Sequence, residues 1–91
     1  MKLNKKQKRT LEAIFARPTP HLQIVWQDIE QLILACGGRV LGGSGSAVRL
    51  VLGERRAYLH RPHPHKEVKA YQVKAVRHLL EAAGITPATV R

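Results

Sequence analysis

Three histidines within six positions, His60, His63 and His65, are the side chains of this chain best suited by type to move protons. Imidazole titrates near neutral pH, so each could act as a general base or acid, or as a neutral metal ligand. No carboxylate or thiolate accompanies them at a familiar ligand spacing, and Pro62 and Pro64 stiffen the stretch between them, which weighs against metal. The competing reading is structural: histidines hydrogen-bonded to a loop backbone. Around them lie the cations Arg49, Arg56, Arg61, Lys66 and Lys69. Arg49 alternates with Val48 and Leu50, so in a strand it points away from the core face. With Arg56 on a neighbouring strand, and Arg61, Lys66 and Lys69 following, the five make either one basic patch beside an open sheet or separate solvated side chains.

Overall charge favours a patch. Sixteen Lys and Arg against six Asp and Glu give a formal net charge of +10, the electrostatic footprint of a polyanion binder. A basic surface kept for solubility competes, although such surfaces usually mix both signs. Lys5, Lys6, Lys8 and Arg9 form a second basic cluster, read equally well as a solvated face or as phosphate contacts. The turn formed by residues 42–46 lacks the lysine of a P-loop and opens a strand rather than a helix, and no G-x-S-x-G pattern occurs. Neither nucleotide hydrolysis nor esterase chemistry is supported.

The longest apolar run, residues 32–36, is far too short to span a bilayer, and no apolar stretch of signal-peptide length follows the basic N-terminus. Cys36 is alone, so no internal disulfide forms, and it reads as a buried structural thiol. These features predict a cytoplasmic protein without membrane or small-molecule cofactor. With 91 residues the chain suits one domain, whose core is thin because a domain of this size buries only about 60–65% of its unfolded surface. Help from a partner protein fits such a core.

The elements that must position these groups read as follows. Residues 1–15 form a basic helix, capped by Asn4 with Gln7 three positions on, with Leu11, Ile14 and Phe15 on one side. Pro18 and Pro20 make a linker around Thr19 and His21. Val25, Ile29, Leu32 and Ile33, with Trp26 beside them, give a second helix stopped at Gly37 and Gly38. Three strands follow at 39–41, 47–52 and 55–60; the last two, joined at Gly53 and Glu54, must pair antiparallel. A final helix spans residues 70–83 with Val73, Val76, Leu80 and Ala83 inward and Gly84 as its stop. The fold class is α+β: a small three-stranded antiparallel sheet with helices on one face, preceded by an N-terminal helix.

Several of these residues together resemble a known family. Gly45 and Ser46 opening a strand, a next strand ending in His60-Arg61-Pro62-His63-Pro64, then Lys66 and a helix closing at Ala83-Gly84-Ile85, are similar to the HicA toxins, over about residues 25–86. Residues 1–20 fall outside it as a basic helical extension and linker, and 21–91 form the toxin-like unit. The resemblance implies a fold like that of double-stranded-RNA-binding domains and a toxin that binds and cleaves mRNA, silenced by a HicB-type antitoxin. It also implies a catalytic histidine directly after the Gly-Ser turn. Here that slot is Ala47. Either the alanine is an introduced substitution, or it is natural and His60 or His63 supplies the chemistry, or this branch binds RNA without cutting it. A metal-independent ribonuclease needs a base for the 2′-hydroxyl, an acid for the leaving oxygen and a cation for the phosphorane. His63 with Arg49 or Arg56 has that chemistry, and Ser46, Arg61, Lys66 and Lys69 complete the expected RNA-binding set. The alternatives are a non-catalytic RNA-binding module and an interaction module for an acidic partner.

Overall fold

The computed structural model describes residues 2–17, 24–42 and 45–90. The linker read at Pro18, Thr19, Pro20 and His21, and the part of the glycine-serine turn at Gly43 and Ser44, lie outside the described residues. The element order is α1 (Lys5–Phe15), α2 (Trp26–Ala35), β1 (Arg39–Gly42), β2 (Ala47–Leu52), β3 (Arg55–His60) and α3 (Ala70–Ala82). The three strands form one antiparallel sheet in the order β1-β2-β3. The expected α+β class is what the chain adopts, and β2 and β3 carry the expected boundaries.

Local chemistry explains the element ends. Asn4 accepts from the Gln7 backbone N–H at 2.8 Å while the Gln7 side chain accepts from the Asn4 N–H at 3.0 Å, so the capping box satisfies two free donors of α1. Helix α2 has no side-chain cap. Its first donors are satisfied from afar: Trp26 N–H donates to the Lys66 carbonyl and Gln27 N–H to the Pro64 carbonyl, both at 3.0 Å. The proline-interrupted loop after β3 therefore serves as the cap of α2. At its other end Gly37 takes φ 81°, a left-handed conformation that side chains with a Cβ rarely adopt.

Alternation divides the sheet into two faces. Val48, Leu50 and Leu52 of β2 and Leu59 of β3 point into the core, where they meet Trp26, Ile29, Leu32 and Ile33 of α2. Val73, Val76, Leu79 and Leu80 of α3 complete the helical layer, and Leu3, Leu11 and Ile14 bring the N-terminal segment into the same cluster. Helices α2 and α3 thus cover one face, with α1 packed against both of them, and the other face is left open. The basic residues Lys5, Lys6, Lys8 and Arg9 stay exposed on the outside of α1, with Lys6 Nζ 3.4 Å from Asp28.

Two polar ties hold the layers in place. Arg77 of α3 is a cation, yet it is only 4% exposed. Its Nε donates to the Ile14 carbonyl at 2.7 Å and its Nη2 to the Ala16 carbonyl at 3.4 Å. Helix α1 has no basic residue in its own last turn, so Arg77 supplies the cation that its carbonyl end favours. Trp26, with no exposed surface, donates its indole N–H to Glu30 at 2.6 Å, and the same carboxylate oxygen takes Arg61 Nε at 2.8 Å. Cys36, expected to be buried, is half-buried at the end of α2; desolvation pushes its thiol pKa up, keeping it protonated and inert.

Candidate functional site

On the open face, register places side chains in rows across the three strands. Arg39, Val51 and Arg56 form one row, Leu41, Arg49 and Tyr58 the next, and Ala47 and His60 the third. No carboxylate occupies any of these positions. Val51 is buried although it lies outside the hydrophobic core, bracketed in register by Arg39 and Arg56. Arg49 holds its guanidinium carbon 5.7 Å from the centre of the Tyr58 ring, within cation–π range.

The third row is where the histidine chemistry concentrates. His60 pairs directly with Ala47, and its Nδ1 lies 3.3 Å from the Ser46 hydroxyl, a hydrogen bond whose direction follows the imidazole tautomer. Its backbone is fixed as well. The buried Gln72 side chain donates to the His60 carbonyl at 3.0 Å and accepts from the Lys69 N–H at 3.0 Å, fastening the end of β3 to the start of α3. Arg61 N–H donates to the Ser46 carbonyl at 2.7 Å, continuing the pairing one step past the ladder. His60 is therefore exposed but held at its ring and its backbone.

Two surface depressions meet at this residue. The first, of about 320 Å³, is lined by Leu41, Ala47, Arg49, Tyr58 and His60 with the edges of Val48 and Leu59. The second, of about 380 Å³, contains His60, Arg61, His63, Lys66 and Lys69 with Tyr71 and Gln72. The sequence-selected residues thus divide. Ser46, Ala47, Arg49 and His60 come together on the sheet, while His63, Lys66 and Lys69 flank the far side of His60. Arg56 lies at the opposite end of β3, across Val51 from Arg39.

Two of the selected residues are engaged by neighbours within the fold. Arg61 directs its guanidinium at Glu30 rather than outward. His63 lies in the loop after β3, as expected; its Nδ1 accepts from the His65 N–H at 3.3 Å and its ring is tilted against that of His65 at 5.6 Å between centres. Among the described residues no group of three or more His, Cys, Asp or Glu is placed to hold a metal ion, and no helix is long and apolar enough to cross a membrane. Sequence reasoning missed Arg39, Tyr58 and Gln72. Tyr58 had a signal, since it alternates with Arg56 and His60 in β3 and so shares their outward face.

Comparison with known families decides the affiliation. A family model described as the HicA toxin of bacterial toxin-antitoxin systems matches residues 26–85. This chain belongs to the HicA toxin family. Neither curated proteins nor solved structures match it. The matched span of this HicA toxin starts at Trp26 and ends at Ile85, so it takes in α2, the whole sheet, the loop after it and α3. Both depressions lie inside it, and α1 lies before it. The resemblance carried by the Gly45-Ser46 turn and the His60-to-Pro64 segment therefore pointed to the right family, as a toxin of a toxin–antitoxin pair.

Proposed function

We propose that this toxin binds mRNA across the open sheet face and cleaves it without metal, and that a HicB-type antitoxin silences it by covering the same face. The observation that carries the proposal is the outward face itself: three arginines, no carboxylate, and a histidine fixed by Ser46 and Gln72 beside Ala47. A cationic surface without acidic partners attracts a polyphosphate chain and steers its approach. Acting on mRNA requires the cytoplasm.

The chemistry assigned to this face uses the RNA's own 2′-hydroxyl. Neutral His60 takes the 2′-proton, the 2′-oxygen bonds to the adjacent phosphorus, and the bond from phosphorus to the 5′-oxygen breaks. The products are a 2′,3′-cyclic phosphate and a 5′-hydroxyl, whose proton comes from water. Arg49, half-buried beside the ring of Tyr58, offers positive charge to the developing phosphorane. With Ser46 accepting from Nδ1–H, Nε2 carries no proton and is free to act as the base. His60 is favoured over His63 for the base because it shares the sheet depression with Arg49, whereas His63 lines only the second one. Lys66 and Lys69 suit phosphates on that side. A second reading, RNA binding without cleavage, is favoured by the methyl group at Ala47, which leaves the sheet with one imidazole where two would divide the acid and base roles.

One experiment separates these. Single-stranded RNA is incubated with the toxin in EDTA, and binding is followed across a salt series. Contact with about four phosphates gives a slope of log K against log salt near −3, and cleavage leaves cyclic phosphate ends. Binding with that slope and intact RNA would support the second reading. A flat salt response would remove RNA from the account and leave a protein-interaction role.

A further inference from the structure

Tyr58 is the most exposed large ring on the sheet, 68% open to solvent, in the row it shares with Leu41 and Arg49. Nothing in the fold needs it there. The core side of β3 is satisfied by Ala57 and Leu59, and an aromatic ring left in water forgoes the burial that usually justifies it. Its surroundings are specific: the Arg49 guanidinium at 5.7 Å from the ring centre, a depression of about 320 Å³ at its edge, and His60 on the same strand and the same face.

We infer that Tyr58 is a stacking platform for one unpaired base, and that the ligand of this face is single-stranded rather than double-stranded RNA. The inference rests on the RNA-binding reading and names the form of RNA. An aromatic face beside a guanidinium offers a π surface and a cation together, and every base has a π face to lay on it. In a duplex those faces are taken by neighbouring bases, so Tyr58 has nothing to stack against. The flanking Arg39, Arg49 and Arg56, without a carboxylate among them, complement the phosphates on either side. With the base on Tyr58, the phosphate next to it reaches His60, two residues along β3.

The test measures binding of a labelled 2′-O-methyl oligonucleotide, which cannot be cleaved through its 2′-oxygen, and of a duplex of the same length. Wild type is compared with Tyr58→Phe and Tyr58→Ala across a salt series. Tyr58→Phe is expected to bind the single strand as wild type does. Tyr58→Ala is expected to bind it about 10- to 100-fold more weakly with an unchanged salt slope, because a stacking contact is lost and no charge is. Duplex affinity should not respond. Equal single-strand binding by wild type and Tyr58→Ala, or an equal loss for the duplex, would overturn the stacking site while leaving RNA binding standing; the ring would then belong to a protein-docking surface. Wild type that binds neither probe in a salt-dependent way would instead overturn the RNA reading, and this proposal with it.

Discussion

Ala47→His is expected to raise RNA cleavage in EDTA by about 10²–10⁴-fold, the range a positioned acid–base group contributes. Ala47 and His60 are direct partners in the β2–β3 ladder, and directly opposed residues hold their Cβ atoms about 4.5–5.5 Å apart on one face. Both positions are exposed, so a second imidazole enters without displacing core. One ring then takes the 2′-proton while the other protonates the leaving oxygen, a division that a lone His60 cannot make. Single-turnover cleavage of an RNA oligonucleotide checks this, with His60→Ala added to the Ala47→His chain as the second arm. The double variant should lose most of the gain. A folded Ala47→His protein that cuts no faster than the parent would show that this position is not part of a reacting centre.

The second large effect is on the fold. Gly38 connects α2 to β1 where the chain passes over β2. A Cβ at Gly38 would lie 2.5 Å from the Val51 carbonyl oxygen and 2.8 Å from both Ile33 Cγ2 and Leu52 Cδ2. The side chains could swing aside, but the carbonyl belongs to the central strand and cannot. Gly38→Ala is therefore expected to cost about 3 kcal/mol, at the upper end of overpacking penalties. For a domain of this length that is a fall in Tm of roughly 12–24 °C. Gly42→Ala is the control, because a Cβ at Gly42 meets nothing within 4 Å. Thermal denaturation by circular dichroism should show the two variants far apart. Coincident melting curves would mean that the α2–β1 connection tolerates a side chain, and with it a looser docking of α2 on the sheet.

Much of this architecture was legible because it depends on neighbours in sequence. The alternation of Val48, Arg49, Leu50 and Val51 fixed β2 and its faces, and the two-residue turn at Gly53 and Glu54 forced β3 to pair with it. Asn4 and Gln7 marked the start of α1 by reciprocal capping. What stayed hidden was set by contacts between residues far apart in the chain. Arg61, read as a phosphate contact, also has an ion-pair partner in Glu30, which lies 31 positions earlier and which no local pattern points to. The burial of Arg77 is set by the Ile14 and Ala16 carbonyls, more than 60 positions away, which no local pattern points to. His60 and His63 stand in the same family-like segment, and nothing local separates them. The pairing of Ala47 with His60, which sequence spacing does not reveal, brings His60 to the Gly45-Ser46 turn. Tyr58 was overlooked for a different reason: a lone tyrosine in a strand usually packs, and its exposure follows from all three helices lying on one side.

The open sheet face, and not the second basic surface on α1, is proposed to receive RNA. Amide chemical-shift mapping tests it most directly: isotope-labelled toxin is titrated with the 2′-O-methyl single strand, and perturbed residues are placed on the structure. Saturable shifts are expected at Ala47, Arg49, Tyr58 and His60, fading into Lys66 and Lys69, with Lys5, Lys6, Lys8 and Arg9 unmoved. Shifts confined to those four α1 residues, with β2 and β3 unchanged, would contradict the claim.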